Sequence, residues 1–388
     1  MNRFGHDIFL APGLRTPFGR GGGALVGYDA ISLSVPVVQA MAAQLSDRKP
    51  DIVIWGAVIP NLGWSNIARE VWLDAKLDPG VPAFSVVLAC ASSILAAFAA
   101  AGMLGASTDL ALVGGAETMS RPPIGLTRAT SDRLRALFAS NPGEALTALG
   151  HLSPSDFSLP TKGWSNRITG RTMGEHMEDT AKEWNITREA QDEWAYQSHM
   201  RAVRGWLSGF FSDLVTPLPE LSKDANLRPD TSLEKLAALP PAFDRTSGRG
   251  TLTAGNSTPI TDGAAGLWVV SARGRSRLPS TLPIAKLVDY EIAAVDHARD
   301  GLLMAPSIAI PRLLARHGLS YSGIALWEVH EVFAAQTLAN VAALEDRHWI
   351  TDRSGISQDL GSFPRDHVNP NGGSIAIGHP SGRPAPEI

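Results

Sequence analysis

The chain has 388 residues, which at about 150 residues per domain corresponds to two or three domains. Hydrophobic residues make up 44% and charged residues 19%, a composition that supports a large buried core and excludes an intrinsically disordered chain. The formal net charge of −4 provides no basic excess for binding nucleic acid or an anionic membrane. The single cysteine, Cys90, excludes a disulfide framework and a cysteine-rich zinc site, and it is typical of a reducing compartment.

Neither a secretory leader nor a membrane span is predicted. The first residues contain no apolar segment of the kind that a secretory signal requires. Residues 79–108 carry no charge and are long enough to cross a bilayer, but they are rich in Ala, Gly and Ser and have acidic flanks, Asp78 and Asp109. A helix that is buried on all sides of a folded domain gives the same pattern, and this interpretation is favoured.

The first part of the chain alternates strands with a helix. Residues 51–55 and 84–88 are short apolar runs typical of buried strands, and the second run leads directly into Cys90. Residues 91–103 are rich in alanine and predict a helix, and residues 109–113 predict the next strand. Strand, helix and strand in this order predict a βαβ unit and therefore a parallel sheet.

The pattern changes between residues 120 and 250, which predict a long insertion rich in proline, arginine and tryptophan, with amphipathic helices such as 188–205. Beyond the insertion, the sequence again predicts α/β elements, namely strands at 267–270, 284–288 and 324–328 and a helix at 333–344. The two α/β parts show a similar alternation of predicted strands and helices, which is compatible with a duplication, although no residue-level repeat demonstrates one.

Cys90 has two interpretations. It lies where a strand turns into a helix, and the amino end of a helix favours the reactive thiolate. Taken alone, it is also compatible with a small buried apolar residue. His330, which follows the predicted strand 324–328, and His379, in a glycine-rich loop, favour the first interpretation. Thiolate catalysis requires a base that accepts the thiol proton and donors that stabilise an oxyanion.

The sequence resembles the thiolases from its first residues to Gly382. The matching blocks occur in the family's order: Arg-Thr-Pro-Phe-Gly at 15–19 with Gly-Ala-Leu at 23–25, Leu-Ala-Cys-Ala-Ser-Ser at 88–93, Gly-Gly-Ala-Glu-Thr-Met-Ser at 114–120, Thr-Ala-Gly-Asn-Ser-Thr-Pro-Ile-Thr-Asp-Gly-Ala-Ala at 253–265, His-Glu-Val-Phe-Ala at 330–334 and Asn-Gly-Gly-Ser-Ile-Ala-Ile-Gly-His-Pro at 371–380. Several ordered blocks are far more specific than one short motif.

The resemblance implies an α/β fold with a duplicated, five-layered α-β-α-β-α core and an inserted loop domain. Residues 1–120 and 248–274 would form the N-terminal domain, which carries the nucleophile. Residues 121–247 would form the loop domain for CoA and substrate, and residues 275–388 the C-terminal domain. Histidine rather than asparagine at position 330 is similar to the thiolase (beta) subunit of fatty-acid β-oxidation multienzyme complexes.

The implied reaction is thiolysis of a 3-ketoacyl-CoA by coenzyme A through an acyl-cysteine intermediate. By resemblance, Cys90 is the nucleophile, and its backbone N–H donates to one oxyanion. His379 activates the thiol, and with His330 it stabilises the thioester oxygen of the departing enolate. Arg228, Thr258 and Met173 lie at positions of family CoA contacts. For Arg228 a solvated surface charge is an equally good interpretation.

The resemblance implies no cofactor or metal, since coenzyme A is a substrate. It also implies a cytoplasmic homodimer or dimer of dimers, with a multifunctional hydratase/dehydrogenase alpha subunit as a possible partner. The sequence departs from the family after Gly382, where thiolases continue into closing strands and a Cys-x-Gly loop, which the 388 residues lack. We therefore expect an incomplete C-terminal half and impaired turnover, because a general acid/base and an oxyanion donor together contribute on the order of 10⁴–10⁷ in rate.

Three alternatives remain open from the sequence. The first is an acetyl-CoA acetyltransferase that forms acetoacetyl-CoA, since chain length depends on the shape of the pocket. The second is a ketoacyl-synthase-like condensing enzyme, against which the blocks near residues 120 and 253 argue. The third is a non-catalytic acyl-CoA-binding protein with the thiolase fold.

Overall fold

A computed structural model describes residues 3–59, 61–105, 107–158 and 165–380. The strands are β1 (Ile8–Arg15), β2 (Gly19–Arg20), β3 (Ile52–Gly56), β4 (Ala83–Val86), β5 (Leu110–Glu117), β6 (Gly125–Leu126), β7 (Phe157–Ser158), β8 (Thr261–Ser271) and β9 (Ala285–Leu287). The helices are α1 (Ala30–Ala42), α2 (Ile67–Asp74), α3 (Ser92–Met103), α4 (Arg128–Ser140), α5 (Pro142–Gly150), α6 (Met173–Glu183), α7 (Arg188–Leu207), α8 (Leu233–Ala237), α9 (Pro306–Arg316), α10 (Ala334–Glu345), α11 (Arg347–Trp349) and α12 (Ser374–Ile377). Short 3-10 turns lie at Pro154–Asp156, Gly274–Arg277, Tyr321–Gly323 and Arg365–His367, and a π-helical turn at Ile350–Ser354.

One seven-stranded mixed sheet organises the N-terminal half. Its strand order is β4-β3-β5-β8-β1-β9, and β2 adds to β8. Strand β3 pairs in parallel with both β4 and β5, so the predicted βαβ unit around α3 is confirmed. Strand β8 lies between β5 and β1 and pairs antiparallel with both. The segment that follows the insertion therefore returns to the middle of the first sheet.

Alternate residues of the central strands cover the two faces of this sheet. Val53 and Trp55 of β3 pack in the same apolar cluster as α1 and α2, whereas Ile52 and Ile54 pack in a second cluster with α3. Because successive strand side chains point to opposite faces, α1 and α2 cover one face and α3 covers the other. The uncharged segment 79–108 thus supplies β4 and a helix packed on the sheet, and no helix in the described part of the chain is long and apolar enough to span a bilayer.

One predicted strand of the C-terminal half is wrong. The sequence predicts a strand at 324–328, but there the chain forms only an isolated bridge between Trp327 and Val368. A strand requires a hydrogen-bonded neighbour along its length, and the segments packed near this one are helices and turns. The sheets of the described residues are therefore one large sheet flanked by helices and the two-stranded β6-β7 ribbon.

The remaining predicted elements are confirmed within a few residues. The strand 267–270 is the end of β8, the strand 284–288 is β9, and the helix 333–344 is α10. The insertion carries β6, β7 and the helices α4 to α8, of which α7 matches the helix expected at 188–205. The domain boundaries at residues 120, 248 and 274 stay predictions.

Candidate active site

The nucleophile turn joins β4 to α3. Strand β4 ends at Val86 and α3 begins at Ser92, so Cys90 lies at the amino end of the helix, as predicted. The preceding residue, Ala89, has a positive φ of 45°, which alanine adopts only where its surroundings hold it. The Ser92 hydroxyl provides this support: it accepts from the Leu88 N–H at 2.9 Å and donates to the Ala89 carbonyl at 2.7 Å. The turn therefore presents the thiol in a fixed position.

His379 is placed by the glycine that precedes it. Gly378 has φ +103°, a conformation that side-chain-bearing residues rarely adopt. The Asn226 amide donates to the Ile377 carbonyl at 3.0 Å, and His379 forms a bridge with Ile260 just before β8. The glycine-rich loop is thereby attached to the sheet that carries Cys90.

His330 is positioned by the same loop. Its Nδ1 lies 2.6 Å from the Ser374 hydroxyl. The Asn369 side chain accepts from the Val329 N–H at 2.7 Å and donates to the Val329 carbonyl at 2.8 Å. These two contacts align the segment before His330 with the segment before the glycine-rich loop. Because the predicted strand before His330 is absent, these side-chain contacts fix its position.

Buried Glu331 strengthens this junction. Its carboxylate accepts from the Ser198 hydroxyl at 2.7 Å, the Trp194 indole at 3.1 Å and the Asn369 amide at 2.7 Å. Burial raises the pKa of Glu331, while these donors act in the opposite direction. A buried acidic group with this many partners rigidifies the segment next to the site.

The structure brings the three predicted catalytic residues together. One donor atom from each of Cys90, His330 and His379 lies within 4.8 Å of the others. The two imidazole rings are 4.0 Å apart between centroids. Both Nε2 atoms are buried and without a hydrogen-bond partner among the described residues. A thiol and two imidazoles with available nitrogens thus converge on one point.

The two histidines are uncharged near neutral pH. Burial lowers the pKa of His330 from 6.5 to about 4. Burial, followed by the nearby His330, lowers the pKa of His379 well below its usual value. A neutral imidazole can accept a proton from a thiol, and it can also donate a hydrogen bond from its other nitrogen. The arrangement is therefore suited to activating a thiol and to holding an oxyanion.

A cavity of about 670 Å³ lies beside the loop that carries His379, with Thr258, Ile260 and Ile375 in its wall. Arg228 and Thr258, both predicted CoA contacts, line it. Arg20 and Arg245 add further positive charge, whereas Lys235 pairs with Asp230 of the same wall at 3.0 Å. Met173, the third predicted contact, is not among the described residues that line this cavity, and it packs against the apolar cluster around Met177. The cavity suits an elongated ligand that carries negative charge.

Several residues of the site were not predicted from the sequence. Ser374 and Asn369 hold His330, and Glu331 holds the segment that follows it. The block at 371–380 contained Ser374, but its partner is 44 positions away in the chain, so local pattern gives no signal for the contact. Buried His199, whose Nδ1 accepts from the Arg228 backbone at 3.3 Å, also escaped prediction because it lies within an ordinary helical pattern.

His199 gives a testable pH dependence. Burial, followed by the positive charge of Arg228, lowers its pKa from 6.5 to about 4. Between these pH values the unfolded chain binds a proton that the folded chain does not, so the free energy of unfolding falls as the pH decreases from 6.5 to 4. When the pH is lowered from 7 to 5, we expect the free energy of unfolding of the wild type to fall by up to about 2 kcal/mol more than that of His199→Asn.

Denaturant unfolding at the two pH values measures this difference. His348→Asn, which changes an exposed histidine, is the matched control and should retain the pH dependence of the wild type. Equal pH dependence in the wild type and in His199→Asn would contradict the prediction.

Comparison with known families shows which family the chain belongs to. The model of the thiolase N-terminal domain matches residues 8–273, and that of the thiolase C-terminal domain matches residues 281–385. The chain belongs to the thiolase family. Thiolases are acyltransferases, so the family agrees with the chemistry of the three clustered side chains.

Individual relatives agree with this assignment. The thiolase is 38% identical to the 3-ketoacyl-CoA thiolase of Photobacterium profundum over 389 residues, covering 97% of this chain and 88% of the relative. It is 36% identical to the 3-ketoacyl-CoA thiolase of Pectobacterium atrosepticum, covering 98% of this chain and 88% of the relative.

Solved structures confirm the α/β thiolase fold. The acetyl-CoA acetyltransferase of Bacillus anthracis gives a TM-score of 0.80 at 29% identity, with 97% of this chain and 88% of that chain covered. The human mitochondrial 3-ketoacyl-CoA thiolase in complex with CoA gives a TM-score of 0.80 at 27% identity, with 99% of this chain and 90% of that chain covered.

The same comparisons bear on the C-terminal half. The C-terminal family model extends to residue 385, and the structural matches include nearly all of this chain. This coverage argues against our prediction that the C-terminal half is incomplete. The lack of a Cys-x-Gly block was predicted for the segment after Gly382, which lies outside the described residues. It stays a prediction.

Proposed function

We propose that this thiolase cleaves 3-ketoacyl-CoA by thiolysis with coenzyme A. The observation that carries the proposal is the convergence of the Cys90 thiol with two half-buried imidazoles, whose Nε2 atoms are buried and have no hydrogen-bond partner among the described residues. The names of the 3-ketoacyl-CoA thiolases similar to this chain give the substrate class.

In the first half-reaction, His379 takes the thiol proton and the Cys90 sulfur attacks the 3-keto carbon. The resulting alkoxide accepts from the Cys90 backbone N–H and collapses, which breaks the bond between C2 and C3. The acyl group stays on Cys90, and the leaving group departs as the enolate of acetyl-CoA. His330 and His379 stabilise its thioester oxygen, and the proton that His379 took from the thiol passes to the enolate carbon, which gives acetyl-CoA.

In the second half-reaction, coenzyme A gives its thiol proton to His379 and attacks the acyl-cysteine thioester. Collapse of this intermediate gives the shortened acyl-CoA and returns Cys90 as a thiolate. The scheme is ping-pong, because acetyl-CoA leaves before coenzyme A reacts. The scheme requires that one cavity bind the CoA part of the 3-ketoacyl-CoA first and free coenzyme A afterwards. The basic cavity beside His379 is suited to both.

Acylation of Cys90 tests the function directly. Protein treated with a chelator and mixed with a 3-ketoacyl-CoA in the absence of CoA should gain the mass of one acyl group, located on the peptide that contains Cys90. Added CoA should remove this mass and release the shortened acyl-CoA. No mass gain at Cys90 would refute the mechanism.

The predicted impairment of turnover is tested separately by steady-state thiolysis. Turnover at normal enzymatic rates, about 1–10³ s⁻¹, would contradict the predicted impairment.

Arg228→Ala should weaken CoA binding. Its side chain is exposed on the wall of the basic cavity, where it can pair with a phosphate of CoA. We expect the KM for CoA to rise about 10-fold with kcat nearly unchanged, since one such contact contributes about 1.4 kcal/mol. Arg128→Ala removes an exposed arginine of α4 that is not on the cavity wall and should leave both constants unchanged. An unaltered KM in Arg228→Ala would show that this arginine is only a surface charge.

Acetyl-CoA acetyltransferase activity is the second candidate. The fold similarity to the Bacillus anthracis acetyl-CoA acetyltransferase supports it as a member of the same family. Incubation with acetyl-CoA alone distinguishes the two activities, because net formation of acetoacetyl-CoA would favour this candidate. Tight CoA binding without acylation of Cys90 would favour a non-catalytic acyl-CoA-binding protein. Decarboxylation of a malonyl thioester would support a condensing enzyme.

We further propose a cytoplasmic homodimer that acts in fatty-acid β-oxidation. The exposed apolar side chains Val87, Leu88 and Ile94, next to the nucleophile, support an interface with another subunit. The bacterial 3-ketoacyl-CoA thiolases among the relatives support the pathway and the compartment. A dimer of dimers and a hydratase/dehydrogenase alpha subunit remain predictions, which mass measurement and co-purification would test.

A further inference from the structure

The three side chains at the end of β4 and in the two loops also form a set of metal ligands. Sulfur and imidazole nitrogen are the donors that Zn²⁺ favours, whereas Mg²⁺ and Ca²⁺ favour oxygen. We propose that Cys90, His330 and His379 bind one Zn²⁺ ion per chain, and that this ion blocks the thiol. The proposal does not rest on the thiolase activity, because it requires only the positions of the ligands.

The distances allow coordination after a small adjustment. In a tetrahedral site with Zn–S near 2.3 Å and Zn–N near 2.0–2.1 Å, neighbouring ligand atoms lie about 3.3–3.6 Å apart. The three ligand atoms here all lie within 4.8 Å of one another. Side-chain rotations that move each atom by about 1 Å or less would close the site without backbone movement. Three protein ligands leave a fourth position for water, as in zinc sites with an open position.

The nitrogens that would bind the ion are the unsatisfied ones. The Nε2 atoms of His330 and His379 are buried and make no hydrogen bond within the described chain. Burial of an unpartnered polar atom is unfavourable, and an ion supplies the missing partner.

The surroundings of His330 resemble the outer shell of a metal site. A metal-bound histidine usually donates its other ring N–H to an oxygen, which fixes the orientation of the ring. The Nδ1 of His330 lies 2.6 Å from the Ser374 hydroxyl. The Ser374 carbonyl in turn accepts from the Thr258 hydroxyl at 2.8 Å. With Nδ1 occupied by this contact, Nε2 is the ring nitrogen of His330 that remains for an ion.

Binding of Zn²⁺ releases one proton and involves no change of oxidation state. The Cys90 thiol releases its proton to solvent as the S–Zn bond forms, both imidazoles bind in their neutral form, and nothing is oxidised or reduced. A zinc-bound sulfur cannot attack a carbonyl, and a zinc-bound His379 cannot accept a proton. Zinc is therefore expected to act as a reversible inhibitor that competes with acylation.

Titration with ZnCl₂ alone tests the site, because free CoA would itself bind zinc through its thiol. Protein freed of metal by chelation should bind one equivalent of Zn²⁺ per chain. This binding is measured by competition with a chromophoric chelator. Cys90→Ser should weaken this binding by roughly 100-fold or more, and His330→Asn and His379→Asn by at least about 10-fold. His348→Asn, which changes an exposed histidine, is the matched control and should bind as the wild type does. Equal affinity in the wild type and Cys90→Ser would overturn the proposal.

A second measurement avoids substitutions that could disturb folding. In wild-type protein, saturating ZnCl₂ should slow the reaction of Cys90 with iodoacetamide by at least about 10-fold, and a chelator should restore the rate. An unchanged alkylation rate would overturn the proposal. Acylation of zinc-free protein is measured separately. Zinc binding without acylation would therefore refute the proposed function alone, and acylation without zinc binding would refute the metal site alone.

Discussion

Cys90→Ala is expected to reduce 3-ketoacyl-CoA thiolysis by at least about 10⁴-fold, the largest effect that we predict for any substitution. Cys90 is the only cysteine of the 388 residues, so no second thiol can take its place in the acyl-enzyme. The clustered imidazoles would remain but would have no nucleophile to activate. Single-turnover rates and product analysis measure the loss.

The control for Cys90→Ala is CoA binding. The basic cavity is lined by Arg20, Ile375 and residues of the insertion and of the segment before β8, and Cys90 is not among its described lining residues. Calorimetry should therefore give nearly the same Kd for CoA in the variant and in the wild type. Thiolysis that survives in Cys90→Ala would show that another group carries the acyl chain, and the proposed mechanism would be wrong.

Gly378→Ala is expected to lower kcat by about 100-fold and also to destabilise the fold. An added Cβ would lie 2.5 Å from both the Asn226 amide nitrogen and the Thr261 hydroxyl oxygen, and the φ of +103° is itself unfavourable for alanine. Relief of these contacts would move His379, which directly follows. A displacement of about 1 Å at a catalytic group costs on the order of 10² in rate.

Gly361→Ala provides the matched control, because Gly361 also has a positive φ, +79°, but an added Cβ would find nothing within 4 Å. It should lose about 1 kcal/mol of stability and retain kcat. Thermal unfolding and steady-state kinetics of the two variants separate backbone strain from displacement of His379. A Gly378→Ala enzyme with normal kcat would indicate that the position of His379 is not critical.

The N-terminal half could be predicted because its signals are local. The apolar runs that became β3, β4 and β5 and the alanine-rich run that became α3 each carry their own pattern. Cys90 and His379 were recognisable for a similar reason, since one lies at a strand-to-helix turn and the other beside Gly378 in a glycine-rich loop.

The C-terminal half was less predictable because its contacts are distant in the chain. The apolar run at 324–328 has the composition of a strand, yet whether it becomes one depends on a neighbouring strand that composition does not reveal. The same limitation applies to the contact of Asn369 with Val329 across 40 positions and that of Glu331 with Ser198 across 133 positions. His330 was identified from its sequence block, although the strand expected to position it is absent.

The location of β8 has a consequence for how the protein is made. Because β8 lies between β5 and β1, the middle of the sheet stays open until residue 271 has been synthesised. At 5–20 residues per second, synthesis from the end of β5 to residue 271 takes roughly 8–30 s, during which the backbone N–H and C=O groups along one edge of β5 and both edges of β1 have no permanent partner. Such long-range pairing also slows folding itself. We therefore expect the nascent chain to require chaperone protection before the insertion is complete, and ribosome-bound fragments that end before residue 261 to be degraded readily by protease.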